Sequence, residues 1–156
     1  MRKVIFGIAL LVAVSCGGSS PAASASAPPV STPANAATVK VTTDPKLGKF
    51  LVDSAGRTLY LFEQDKGTAS TCYGDCAKYW PPLLTNGAPQ AGSGADSMLL
   101  GTTKRTDGTV EVTYGGHPLY YVITDHNPGD ATGQDVNNFG ALWYVVGPGG
   151  NKIETG

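Results

Sequence analysis

The chain has 156 residues, enough for one domain at roughly 100–200 residues each. Charged residues make up 15% of it, Gly (21) and Pro (11) together exceed a fifth, and the net charge is −1. That balance excludes an electrostatic nucleic-acid binder, which needs a basic face to neutralise phosphates, and it excludes an acidic disordered tail. With 41% apolar residues the chain can still build a compact core.

Residues 1–15 read as an export signal. Arg2 and Lys3 precede an apolar run, Val4 to Val14, that is too short to span a bilayer, which takes about 20 residues. Small residues then lead to Cys16 and a Gly-Gly-Ser-Ser stretch. This junction resembles a bacterial lipoprotein signal, which implies lipidation of Cys16 and attachment to a membrane outside the cytoplasm. The other reading is plain cleavage near Ser15 and a freely secreted product. Removal of residues 1–15 leaves nine basic against twelve acidic residues. A basic membrane-binding patch is therefore not expected, and the lipid would do the anchoring.

Between Cys16 and Thr38, eighteen of the 22 residues after the cysteine are Gly, Ser, Ala or Pro, and none is charged. Such a composition cannot bury enough apolar surface to offset the entropy of ordering. Residues 16–38 are expected to form a disordered tether, reaching roughly 25 Å as a Gly/Ser-type coil.

Residues 39–156 carry the globular domain. Short runs rich in Val, Tyr, Thr and Leu lie between Gly, Asp and Pro clusters: Val39–Val41, Phe50–Val52, Thr58–Phe62, Val110–Tyr114, Pro118–Thr124 and Trp143–Val146. Ser54-Ala55-Gly56 and Gly115-Gly116 have hairpin-turn composition. The expected class is all-β with short antiparallel strands and one helical turn near Cys76–Tyr79.

The domain is also self-similar. Gly56-Arg57-Thr58-Leu59-Tyr60-Leu61-Phe62-Glu63-Gln64-Asp65 returns as Gly116-His117-Pro118-Leu119-Tyr120-Tyr121-Val122-Ile123-Thr124-Asp125, with Gly, Leu, Tyr and Asp in register. Val52 and Val112 also align, and each copy leads through a polar loop to a tryptophan, Trp80 or Trp143. Two repeats, about 48–84 and 108–147, are expected to cover each other's apolar faces and close into one small pseudo-symmetric domain, since solenoids need at least three units.

These residues carry a family resemblance. Tyr60-Leu61-Phe62-Glu63-Gln64-Asp65 fits a Tyr-x-(Phe/Trp/Tyr)-x-x-Asp motif. In the second copy Tyr120 and Asp125 fit, but Val122 replaces the aromatic. With Cys72-Tyr73-Gly74-Asp75-Cys76, Trp80-Pro81-Pro82-Leu83 and Phe139-Gly140-Ala141-Leu142-Trp143-Tyr144, the chain resembles predicted bacterial lipoproteins described as a secreted repeat of unknown function. The resemblance implies export and a repeat fold; it implies no activity.

Several residues could carry chemistry. Asp65 and Asp125 fall just past strand ends, where an Asp accepts N–H bonds of the following turn, and Tyr60 and Tyr120 would bury their rings. The alternative is a polar ligand site built from these two Tyr/Asp pairs. Cys72 and Cys76 are the two thiols left if Cys16 is lipidated, and in an exported protein they are expected to form a structural disulfide. A redox-active or copper-binding pair is the alternative, although C-x3-C is neither the thioredoxin nor the haem spacing. His117, His126 and Met98 are weak metal candidates, because the two histidines align with Arg57 and Lys66. The loop from Asp125 to Asp130 lacks the order of a calcium loop. Trp80 and Trp143 are core residues by default, with an exposed aromatic platform as the alternative. No catalytic or cofactor fingerprint is present. The expectation is a lipid-anchored envelope domain that binds or scaffolds an unknown ligand or protein without catalysis and without a cofactor. The runner-up is a redox or metal-handling lipoprotein.

Overall fold

A computed structural model describes residues 35–155. The export signal, Cys16 and nearly all of the tether lie outside the described residues. From Asn35 onward the backbone is already engaged: Asn86 N–H donates to Asn35 C=O, and Ala37 N–H donates to Thr85 Oγ1 at 3.0 Å.

The described residues form nine short strands and one helix. They are β1 (Thr38–Asp44), β2 (Gly48–Asp53), β3 (Tyr60–Phe62), α1 (Asp75–Tyr79), β4 (Gln90–Ala91), β5 (Leu100–Lys104), β6 (Val110–Tyr114), β7 (His117–Pro118), β8 (Val136–Asn138) and β9 (Ala141–Val145). Three sheets result, in the orders β2-β1-β4, β3-β9-β8 and β5-β6-β7. All pairings are antiparallel except β1–β4. The all-β class and the helical turn beside the cysteines match the sequence reading.

Local chemistry explains the turns. Asp44 Oδ1 accepts the N–H groups of Lys46 and Leu47, at 2.7 and 2.9 Å, and closes the β1–β2 hairpin as an Asx turn. Gly115 and Gly116, at φ 58° and 87°, supply the two left-handed residues that a tight β6–β7 hairpin needs. The expected strand Pro118–Thr124 is only partly one. β7 ends at Pro118, Tyr120 forms isolated bridges, and the chain turns at Ile123–Thr124. β4, β5 and β8 were not foreseen. β4 and β8 are only two and three residues long, and Gly101, Lys104, Asn137 and Asn138, of types that strands disfavour, weaken the signal of β5 and β8.

The two repeats are related by a pseudo-two-fold axis. Tyr60 and Tyr120 face each other across an antiparallel bridge and exchange both N–H···O=C bonds, at 2.9 and 3.0 Å. The halves then cross over. β3 of the first repeat pairs with β9 of the second, with Tyr60 opposite Val145. Tyr120 of the second repeat bridges to Pro82 of the first, in the matching place.

This symmetry also corrects the alignment. Leu59 N–H donates to Leu51 C=O as Leu119 N–H donates to Val112 C=O, both at 3.0 Å. Leu51, not Val52, is therefore the structural counterpart of Val112. The turn of the second copy is one residue shorter, and the sequence register slips there.

Strand alternation divides the core. Tyr60 and Phe62 face an aromatic cluster with Trp80, Tyr120, Val122 and Trp143. Leu59 and Leu61 face an aliphatic cluster with Leu51, Val112, Leu119 and Leu83. In the aromatic cluster Trp80 and Trp143 lie face to face, 3.9 Å apart, and Phe62 stacks on the other face of Trp143 at 4.0 Å. Tyr60 meets Trp80 edge-on at 5.4 Å, and Tyr120 meets Trp143 edge-on at 5.1 Å. Aromatic pairs of this kind contribute about 0.5–1.5 kcal/mol each beyond their buried area.

Gly133 lets this cluster close. A Cβ there would lie 2.6 Å from Trp80 Cη2 and 2.9 Å from Tyr60 Cε1. Gly133→Ala is expected to destabilise the fold by about 1–3 kcal/mol through overpacking. Urea unfolding of the variant measures it, and an unchanged midpoint would contradict the packing described.

Candidate functional site

The chemistry-bearing motif residues gather around the pseudo-two-fold axis. The Tyr–Asp pairs form between repeats, not within them. Tyr60 OH donates to Asp125 Oδ2 at 2.6 Å, and Tyr120 OH donates to Asp65 Oδ2 at 2.6 Å. The other carboxyl oxygen of each Asp holds a loop. Asp65 Oδ1 accepts Thr71 N–H at 2.7 Å and Thr71 Oγ1 at 2.6 Å. Asp125 Oδ1 accepts Thr132 N–H at 2.9 Å and Thr132 Oγ1 at 2.7 Å. Each Asp thus closes its own following loop and ties it to the opposite repeat. The turn-capping reading of the Asp residues describes half of what they do. The partner threonines were not singled out in the sequence, although Ser70-Thr71-Cys72 and Ala131-Thr132-Gly133 occupy like places after the two Asp residues.

Burial decides the state of the tyrosines. Both are fully buried, and loss of solvation together with the facing carboxyl pushes each phenol well above its ordinary range. They act as neutral donors at any ordinary pH.

A second buried polar cluster adjoins Tyr120 and was not foreseen. Glu111 is fully buried; its Oε2 accepts from Arg105 Nη1 at 2.6 Å, while Oε1 has no partner. The Arg105 guanidinium also donates to Ser70 Oγ at 2.8 Å and to the Cys72 carbonyl at 2.7 Å. It lies over the Tyr73 ring at 4.4 Å. Ser70 Oγ in turn sits 2.7 Å from Tyr120 OH. Arg105 therefore fastens the cysteine loop of the first repeat to the β5–β6 hairpin of the second. Burial, against the opposing pull of Arg105, pushes Glu111 up to about 7.

Cys72 and Cys76 form a disulfide, with Cα atoms 5.2 Å apart. Cys72 is fully buried and Cys76 is 7% exposed, both within the aromatic cluster. Trp80 and Trp143 are core residues and present no exposed platform. Trp143 Nε1 donates to Asn138 C=O at 3.0 Å, whereas Trp80 Nε1 has no partner.

The three metal candidates do not meet. Met98 is 86% exposed, and His126 is exposed in the loop closed by Asp130, whose carboxyl accepts the N–H groups of His126 and Asn127. His117 lines a groove of about 640 Å³ with Glu63, Asp65 and Lys66. Among the described residues no three His, Cys, Asp or Glu side chains converge as a metal site would require.

A family model described as a secreted repeat of unknown function matches residues 41–84 and 101–147, more than half of the chain. The protein belongs to this secreted-repeat family. The two matched segments start earlier than the repeats read from the sequence, at Val41 and Gly101, and so include most of β1 and all but the first residue of β5. Each secreted repeat is thus a hairpin, a bridged Tyr segment, an Asp-closed loop and a Trp segment. The family description makes this an exported protein of unknown specific activity. No curated protein and no solved structure matches the chain.

Two outcomes follow from the site. A double-mutant cycle of Tyr60→Phe with Asp125→Ala is expected to show a coupling of about 1–3 kcal/mol, while Tyr60→Phe with Asp65→Ala shows almost none, because the hydrogen bonds cross between repeats. Equal coupling in both cycles would refute the crossed pairing. Glu111 is held above its unfolded value, so its contribution is fully present below about pH 4.5 and is lost as pH rises through about 7. Unfolding free energy is expected to fall by roughly 1–3 kcal/mol between pH 5 and 8, and Glu111→Gln should flatten that slope.

Proposed function

We propose that this secreted-repeat protein is a non-catalytic binding or scaffold module, held at the cell envelope by a lipid on Cys16. The observation that carries the reading is the internal use of the motif. Tyr60, Tyr120, Asp65 and Asp125 bond one another across the repeats, and Trp80 and Trp143 stack in the core. Their role is to lock a rigid domain whose exposed loops and sheet edges meet the ligand or protein partner.

The redox or metal alternative has less behind it. Its two sulfurs are joined and almost wholly buried, and its histidines and Met98 lie apart. The lipid reading is supported by the charged start, the short apolar run and the small residues before Cys16. Diacylation adds about 0.8 kcal/mol per buried methylene, enough for stable attachment with several acyl chains. The tether after it, some 22 uncharged residues, would hold the domain off the surface.

Fractionation of an exporting bacterial host tests the anchor. The wild-type chain is expected in the detergent-extracted membrane fraction, with the acyl mass on the N-terminal cysteine. Cys16→Ala is expected in the soluble exported fraction. Wild-type protein that is soluble and unacylated would refute the anchor.

A further inference from the structure

We infer that the outer edge of β5 is a docking site for an extended, uncharged segment of a partner polypeptide, which joins the β5-β6-β7 sheet as a parallel strand. This rests on the reading of the protein as a binding module and names where and how it binds.

The pseudo-symmetry supplies the argument. Val41 pairs with Leu51, and Thr102 pairs with Val112, so β1 and β5 are counterparts in the two repeats. In the first repeat the outer edge of β1 is covered. β4 runs parallel to it, with Thr38 opposite Gln90 and Val39 opposite Ala91. Gly92 N–H donates to Val39 C=O at 2.7 Å, and Val41 N–H donates to Ser93 C=O at 2.9 Å.

In the second repeat the same edge carries no strand among the described residues, where β5 is the terminal strand of its sheet. Leu99 C=O accepts Gly115 N–H on the β6 side at 2.9 Å. Strand alternation therefore turns the Leu100 carbonyl and the Thr102 N–H outward, in the places of Val39 and Val41. Neither finds a backbone partner across that edge among the described residues. The segment after the second repeat does not cover them. It folds back on β9 instead, with Val146 bridged to Lys152 and Ile153 N–H donating to Val145 C=O at 3.0 Å.

The surroundings specify the occupant. A groove of about 560 Å³ that includes Leu100 and Thr102 of this strand is also lined by Gly87, Ala88, Pro89 and, from β6, Val110. No charged residue lines it, so a charged segment would lose solvation there without a counter-ion. Val110 and the nearby Leu84 are 37% and 45% exposed. Exposed edges are usually blunted by proline, bulges or charge. β5 reads Leu-Gly-Thr-Thr-Lys, and its single charge stands at the far end. Edge addition of this kind draws affinity from main-chain hydrogen bonds and selectivity from the flanking pockets. The covering segment of β1, small and uncharged, is the model occupant within the same molecule.

That segment is also the probe. A synthetic heptapeptide of residues 88–94 is titrated into the full exported chain, and amide hydrogen exchange and amide chemical shifts are read residue by residue. The expected result is saturable perturbation of Leu100–Lys104, with exchange at Thr102 slowed roughly tenfold. Thr102→Pro removes only an outward N–H, which an edge strand tolerates. It should abolish the effect while leaving the unfolding midpoint almost unchanged. Val110→Lys places a charge on the neutral wall and should weaken binding to a similar degree, which guards against a Thr102→Pro variant that fails to fold. Absence of saturable change at β5, or perturbation confined to another face, would overturn the docking site. A concentration-dependent dimer dissociated by Thr102→Pro would also overturn it, by making a second copy the occupant. None of these readings depends on lipidation, so failure of the anchor and failure of the edge are distinguishable.

Discussion

Everything in the domain is arranged around the pair of backbone hydrogen bonds exchanged by Tyr60 and Tyr120. An antiparallel pair on a two-fold axis makes each strand the continuation of the other half's sheet. Its consequence is the crossover of β3 onto β9 and of Tyr120 onto the Pro82 segment. Neither repeat can complete its own ladder, and neither can satisfy its own tyrosine. The carboxyl that takes the Tyr60 hydroxyl lies 65 residues away in sequence. Such long-range closure couples the halves, so that local loss in one is felt in the other.

Departures from the symmetry are as informative as the symmetry. Phe62 covers one outer face of the Trp143–Trp80 stack, and the counterpart position carries the smaller Val122. Where the first repeat has the buried Phe50, the second has the buried Glu111. A buried carboxyl demands a partner, and Arg105 supplies it while gripping Ser70 and the Cys72 carbonyl. The disulfide loop belongs to one half only, and it is held by a cation from the other. A polar network therefore does for one side of the domain what aromatic packing does for the other.

This inward turn of the motif bears on function. Groups that in sequence could have formed a polar ligand site, two phenols and two carboxyls, are committed to one another and to Thr71 and Thr132. What remains outside is a set of loops, mixed-charge grooves and sheet edges. A domain built in this way holds a surface in a fixed shape. That fixed surface is what supports the proposed binding role, and the edge of β5, unpaired among the described residues, is the surface feature that the duplication itself singles out.

The sequence by itself determined the class, the duplication and the export. Short runs rich in Val, Tyr, Thr and Leu between turn residues point to short strands, and the Gly, Leu, Tyr and Asp register exposes the repeat. Cysteines four apart in an exported chain favour a disulfide, and the structure contains it. Only the tertiary structure decided which Tyr meets which Asp, because within-repeat and between-repeat pairing leave the same letters in the same order. It decided the Leu51–Val112 equivalence, since a one-residue difference in turn length is invisible until hydrogen bonds locate the strands. It decided the burial of Arg105 and Glu111, which by residue type belong at the surface and are held inside only by partners distant in sequence. And it decided which sheet edge stays open, because β4 and the segment after β9 are too short and too polar to announce which strand they cover.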